Sequence, residues 1–110
     1  MIKLQYTPEF KRSLIRLFKK YRSIREDLEP LLDTLAAGQT PGDRLQVSGD
    51  VLYKVRLRNK DSKRGKSVGY RVIYYLKAQK DIILVTLYSK TEQSDIQASE
   101  IQNIIDRYLR

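Results

Sequence analysis

The spacing of apolar residues changes twice along this chain, from a helical repeat to alternation near Arg44 and back to a helical repeat after Ser94. Two helices, a run of strands and a closing helix make an α+β fold. Before the first change, Ile2, Leu4 and Tyr6 alternate with Lys3 and Gln5, a short strand ended by Thr7-Pro8, an N-cap followed by proline at the first helical position. Phe10, Leu14, Leu17, Phe18 and Tyr21 then fall at helical spacing. Lys11, Arg12, Arg16, Lys19 and Lys20 are left toward water and read as a charged solvent face. Ser23 with Glu26 forms a capping-box pattern ahead of a stripe of Leu28, Leu31, Leu32 and Leu35 that stops at Gly38, with Pro41 just beyond. This predicts a second helix antiparallel to the first, and Pro30 inside it predicts a kink or a fresh start.

Between the two changes, strands are predicted over 44–48, 51–58, 68–77 and 81–89. The short links Ser48-Gly49-Asp50 and Gln79-Lys80-Asp81 favour an antiparallel meander. The third link, residues 59–67, is longer and carries Lys60, Lys63, Arg64 and Lys66; it is either a solvated excursion or, growing from two basic strands, a clamp on a ligand. After Ser94, Ile101, Ile104, Ile105 and Tyr108 share one helical stripe, with Ser99 and Gln102 as a second capping box and Glu92 and Asp95 as charges near the helix start. A chain of 110 residues can bury one core, so residues 1–110 are expected to form one domain.

The strand pattern places its cations in phase. In 51–58, Lys54, Arg56 and Arg58 share one face and Tyr53, Val55 and Leu57 the other; antiparallel pairing with 69–75 brings Arg71 to the basic face. Such crowding is unfavourable until a polyanion arrives. With 22 Lys and Arg against 13 Asp and Glu the net charge is +9, which suits a nucleic-acid partner, although an acidic protein or a merely basic surface would also satisfy it.

Several chemistries are excluded. Without cysteine or histidine there is no disulfide, no thiolate or imidazole zinc site, no cysteine nucleophile and no histidine acid–base step. Any catalysis must use Lys, Arg, Tyr, Asp or Glu, and no metal or cofactor is expected. The longest apolar run, Ile82 to Val85, cannot cross a membrane, and Met1-Ile2-Lys3 does not open a signal peptide, so a cytoplasmic location is expected. Gly65-Lys66-Ser67 is not a triphosphate loop, because Lys60 stands where a glycine is needed and a strand follows rather than a helix. Tyr70, Tyr74, Tyr75 and Tyr88 sit amid cations, suited to base stacking or to packing on the sheet. Tyr74 shares parity with Val72 and reads as core; Tyr70 and Tyr88, near a loop and a strand end, read as ligand contacts.

The element order, the pair Tyr53-Lys54-Val55-Arg56-Leu57 and Gly69-Tyr70-Arg71-Val72-Ile73-Tyr74, and the tail Leu87 to Ile96 together resemble the RelE/ParE superfamily of bacterial toxins, nearest its HigB-like branch, over essentially the whole chain. The resemblance implies a toxin that enters the ribosomal decoding site, cleaves messenger RNA, inhibits translation and is neutralised by a cognate antitoxin. It also implies roles: Lys54 as the first catalytic lysine, Arg56 where a second lysine is usual, Arg71 as the motif arginine and Lys90 as the basic residue of the last strand. The pattern departs at Thr91, where such toxins carry an arginine, and at Gln97, where a tyrosine is usual a few residues further on. The leaving-group proton then falls to Lys90 or Tyr88.

The chemistry is consistent with those residue types. When a ribose 2′-hydroxyl attacks the adjacent phosphorus, the protein need only remove a proton, align the backbone, stabilise charge and protonate the departing oxygen. A lysine hemmed in by arginines has its charged form disfavoured, so Lys54 is the expected base, with Arg56 and Arg71 on the phosphate. Arg58, Lys66 and Lys90 are expected to grip the backbone, and Glu92 and Asp95 to cap the last helix. A ParE-like gyrase inhibitor that cuts no RNA, and a relative that only binds RNA or its antitoxin, are the alternatives.

Overall fold

The hydroxyl of Thr7 joins the first strand, the first helix and the last strand. It accepts the Phe10 N–H at 3.0 Å, capping the helix, and donates to the Val85 carbonyl at 2.6 Å. The computed structural model describes residues 1–61 and 69–110. Its elements are β1 (Lys3–Tyr6), α1 (Pro8–Lys20), α2 (Ile24–Ala36), β2 (Asp43–Val47), β3 (Asp50–Leu57), β4 (Tyr70–Ala78), β5 (Asp81–Ser89) and α3 (Ala98–Leu109). They follow the predicted order, with boundaries within two residues for the strands.

The sheet order is β1-β5-β4-β3-β2. β2 to β5 form the expected antiparallel meander, while β1 pairs parallel with β5, Lys3 opposite Asp81 and Tyr6 opposite Leu84, so the five-stranded sheet is mixed. Each face carries its own core. Phe10, Leu17, Ile24, Leu28, Leu31 and Leu35 of α1 and α2 cover Val55, Tyr70, Val72, Tyr74, Ile82, Leu84 and Leu87. Ile101, Ile104 and Ile105 of α3 cover Val47, Leu52, Ile73, Ile83 and Val85 on the other face. β4 is the central strand and is covered on both sides.

Three local expectations are corrected. Pro30 neither kinks nor restarts a helix: α2 runs unbroken through it. Pro30 is exposed, so water can take the carbonyl its missing N–H leaves unpaired, while Leu28, Leu31 and Leu35 are buried on either side of it. The Ser23 capping box does not form, because a buried carboxylate competes for the hydroxyl: Ser23 Oγ donates to Asp27 at 2.9 Å, and the Lys60 N–H donates to the same Asp27 oxygen at 3.1 Å. The second capping box fails by position. Gln97 is the N-cap of α3, its carbonyl accepting from Glu100 and Ile101, so Ser99 lies inside the first turn.

One irregularity decides which side chains meet. Ile73 pairs with Thr86 but Tyr74 pairs with Leu84, so Val85 is an extra residue on β5, a β-bulge. Without it, strict alternation from Ile83 would place Tyr88 beneath the helices with Leu84. The extra residue shifts the phase, so Leu87 enters the α1–α2 core and Tyr88 emerges on the α3 face. Thr7 anchors the carbonyl of that bulged residue. Thr7→Ala removes both bonds of a fully buried hydroxyl and should lower unfolding free energy by about 2 kcal/mol in urea titration, whereas Thr7→Ser should keep most of the stability.

Candidate active site

On the α3 face, near the ends of three neighbouring strands, the register sets Arg56 opposite Arg71 and Arg71 opposite Tyr88. Lys54, Ile73 and Thr86 form the adjacent row. The structure thus brings Lys54, Arg56, Arg71 and Tyr88 to one face, as alternation and antiparallel pairing require for the cations. Gly69 makes this close assembly possible: a Cβ there would lie 2.0 Å from the Leu57 carbonyl oxygen. Its own carbonyl accepts the Lys90 N–H at 2.9 Å, so the end of β3, the start of β4 and the residue after β5 are drawn together.

The members differ in exposure. Arg71 is 6% exposed, its guanidinium donating to the Tyr70 carbonyl at 3.1 Å among its contacts. A buried guanidinium is unfavourable unless its donors are matched, and it offers a charge little screened by water. Arg56 and Arg58 are exposed, Arg58 just beyond the end of β3. Lys54 lies between these extremes, 29% exposed at its side chain.

A carboxylate occupies the middle of the group. Asp95 Oδ1 lies 3.5 Å from Lys54 Nζ, accepts the Tyr88 hydroxyl at 3.4 Å and accepts the Ile96 N–H at 2.8 Å. The Ile96 N–H, then the charge of Lys54 and the Tyr88 hydroxyl, hold the Asp95 carboxyl below the usual range. Burial first, then the charge and hydrogen bond of Asp95, push the Tyr88 phenol up to about 12, with Arg71 opposing. A proton donor from β5 and a cationic amine from β3 therefore converge on a single oxygen.

Other expectations change. Tyr70 does not join the group: it has the parity opposite to Arg71, lies under α1 and α2 and is fully buried against Tyr21, with its phenol raised by burial and by Asp27. Tyr74 is core as expected, stacked on Tyr53. Lys90 Nζ donates to the Ser94 carbonyl, and Lys66 lies outside the described residues. Neither Glu92 nor Asp95 caps α3, since Glu92 accepts from Arg16 of α1 at 2.8 Å and Asp95 faces Lys54 and Tyr88. Asp95 is the residue that reading by spacing misses; its only local signal is a position between the last strand and the last helix.

Neutralising Asp95 removes two of the causes that raise the Tyr88 phenol, so its pKa should fall. In Asp95→Asn the tyrosinate absorbance titration should show one phenol ionising at lower pH, and the change should vanish when Tyr88→Phe is added. An unchanged titration would refute the coupling.

The comparison with known families agrees with this architecture. The model of the RelE toxin of the RelE/RelB toxin–antitoxin system matches residues 10–106, from the first buried residue of α1 to the last turns of α3. Among the described residues no helix is long and apolar enough to cross a membrane. The chain belongs to the RelE toxin family, within the RelE/ParE superfamily, and is the toxin of a toxin–antitoxin pair.

Proposed function

We propose that the protein is an endoribonuclease that cleaves messenger RNA on the ribosome, inhibits translation and is restrained by its antitoxin. The observation that carries this reading is the convergence of Lys54 and Tyr88 on one oxygen beside the buried Arg71. A phosphodiester there meets a proton acceptor, a proton donor and a fixed positive charge.

Cleavage needs no group beyond these. Lys54, once its ammonium has given a proton to solvent, takes the proton of the ribose 2′-hydroxyl; the 2′-oxygen attacks phosphorus while Arg71 and Arg56 hold the non-bridging oxygens. The bond from phosphorus to the 5′-oxygen breaks, and Tyr88 gives that oxygen its proton. The products are a 2′,3′-cyclic phosphate and a 5′-hydroxyl. A phenol pushed up to about 12 stays protonated at neutral pH, as a donor must. Lys90, its ammonium turned to the Ser94 carbonyl, is the weaker candidate for that step. Arg58 would grip the backbone beyond the cut, and Tyr88, only 3% exposed, would meet the RNA through its hydroxyl rather than by stacking.

The antitoxin must cover the same face. A segment bearing acidic side chains would satisfy Lys54, Arg56 and Arg58 while shielding Arg71. The pairing follows from the family; the face it covers is inferred from the charge.

Expression of the wild type should arrest growth and produce new transcript 5′ ends within coding frames, mapped by primer extension. Lys54→Ala or Arg71→Ala should relieve the arrest, and Arg71→Lys, which keeps a buried cation, should lose roughly a hundredfold to a thousandfold of the cleavage rate with the circular dichroism spectrum unchanged. Tyr88→Phe should slow cleavage roughly a hundredfold or more. Growth arrest with DNA-damage signalling and no new 5′ ends would replace the nuclease with gyrase inhibition. A chelator should leave the rate unchanged.

A further inference from the structure

Asp95 stands where the proposed reaction needs an anion of another kind. Its Oδ1 accepts from both Lys54 Nζ and Tyr88 OH, at 3.5 and 3.4 Å. Charge-assisted hydrogen bonds commonly close to about 2.7–2.9 Å, so the carboxylate is loosely held by the site. Its orientation comes instead from its own backbone, through the 2.8 Å bond from Ile96 N–H.

The surroundings favour displacement. The Asp95 side chain is 65% exposed, and beside it lies a cavity of about 160 Å³ bordered by Lys54, Ile73, Ile96 and Ile101. The backbone that carries it is tethered by Glu92 to Arg16, by Thr91 to Ser89, by Lys90 to the Ser94 carbonyl, by Gln93 to the Asp95 carbonyl and downstream by α3, so only the side chain has to move. Between the tethers, Asp95 can leave Lys54 without unfolding either element.

We infer that Asp95 is an internal stand-in for the substrate phosphate, occupying the anion subsite between Lys54 and Tyr88 until an RNA backbone displaces it; this rests on the ribonuclease reading above. The carboxylate carries one negative charge on an acceptor oxygen, as each phosphodiester does, and both cannot sit on the same donors. Free toxin is therefore held in a closed state. RNA that engages Arg56, Arg58 and Arg71 over several phosphates can evict Asp95, while a single weakly held phosphate meets its competition.

The test is binding of a 2′-O-methyl oligonucleotide, which lacks the nucleophile, measured by fluorescence anisotropy. Losing an exposed ion pair and a like-charge contact with the incoming phosphate should tighten binding in Asp95→Asn about three- to tenfold. Glu92→Gln, which removes the same charge from the same segment, should stay near the wild type. Where the wild type binds the oligonucleotide, unchanged or weaker binding by Asp95→Asn overturns the inference, and so does an equal gain in Glu92→Gln, which would make the effect one of net charge. Inorganic phosphate separates this inference from the reading beneath it: phosphate should raise the melting temperature of Asp95→Asn more than that of the wild type. If that difference appears while neither protein binds the oligonucleotide, the subsite stands and the RNA reading falls; if both responses are absent, both fall.

Discussion

The site depends on the extra residue at Val85. The pairing of β4 with β5 seats Leu84 and Leu87 in the same core, and positions three apart cannot share one face of a regular strand. The bulge resolves that parity conflict and rotates the end of β5 by one face. Tyr88 becomes the neighbour of Arg71, and the chain continues toward α3 on the side where Asp95 meets Lys54. The hydroxyl of Thr7, the N-cap of α1, holds the carbonyl at the point of the shift.

The surrounding framework is built to tolerate the charge placed on it. β4 alternates between the two cores, and Arg71, its second residue, heads the row that continues into buried Ile73. Gly69 supplies the close backbone approach at one edge of the site, where any side chain would strike the Leu57 carbonyl. Ion pairs at the surface join elements distant in sequence, Arg16 to Glu92 and Arg107 to Glu9, yet each is exposed on at least one side and contributes modestly. Rigidity at the site comes from strand pairing and from the buried row, not from those bridges.

Much of this was legible in the sequence, for identifiable reasons. Phe10, Leu17, Leu28, Leu31 and Leu35 lie at helical spacing because each helix has one face to bury, and the alternation of Tyr53 to Arg58 places Lys54 and Arg56 together because Tyr53, Val55 and Leu57 face the α1–α2 core. The bulge was illegible: from Ile82 to Leu87 every residue is apolar or threonine and buried, so no polar residue marks a change of phase. The role of Asp95 was hidden for a different reason, since its contact with Lys54 spans 41 positions and serves no periodic pattern. Tyr70 was misplaced by proximity to the loop. Its parity, opposite to Arg71, was the stronger guide.

The parallel pairing of β1 with β5 also bears on when the protein becomes dangerous to its host. The contact from Thr7 to Val85 spans 78 positions, so the edge of the sheet cannot close until most of the chain has been made. Lys54, Arg71 and Tyr88 emerge in that order, and β5 fixes the last of them. A chain without β5 carries the cations but not the assembled row, because Tyr88 comes with that strand.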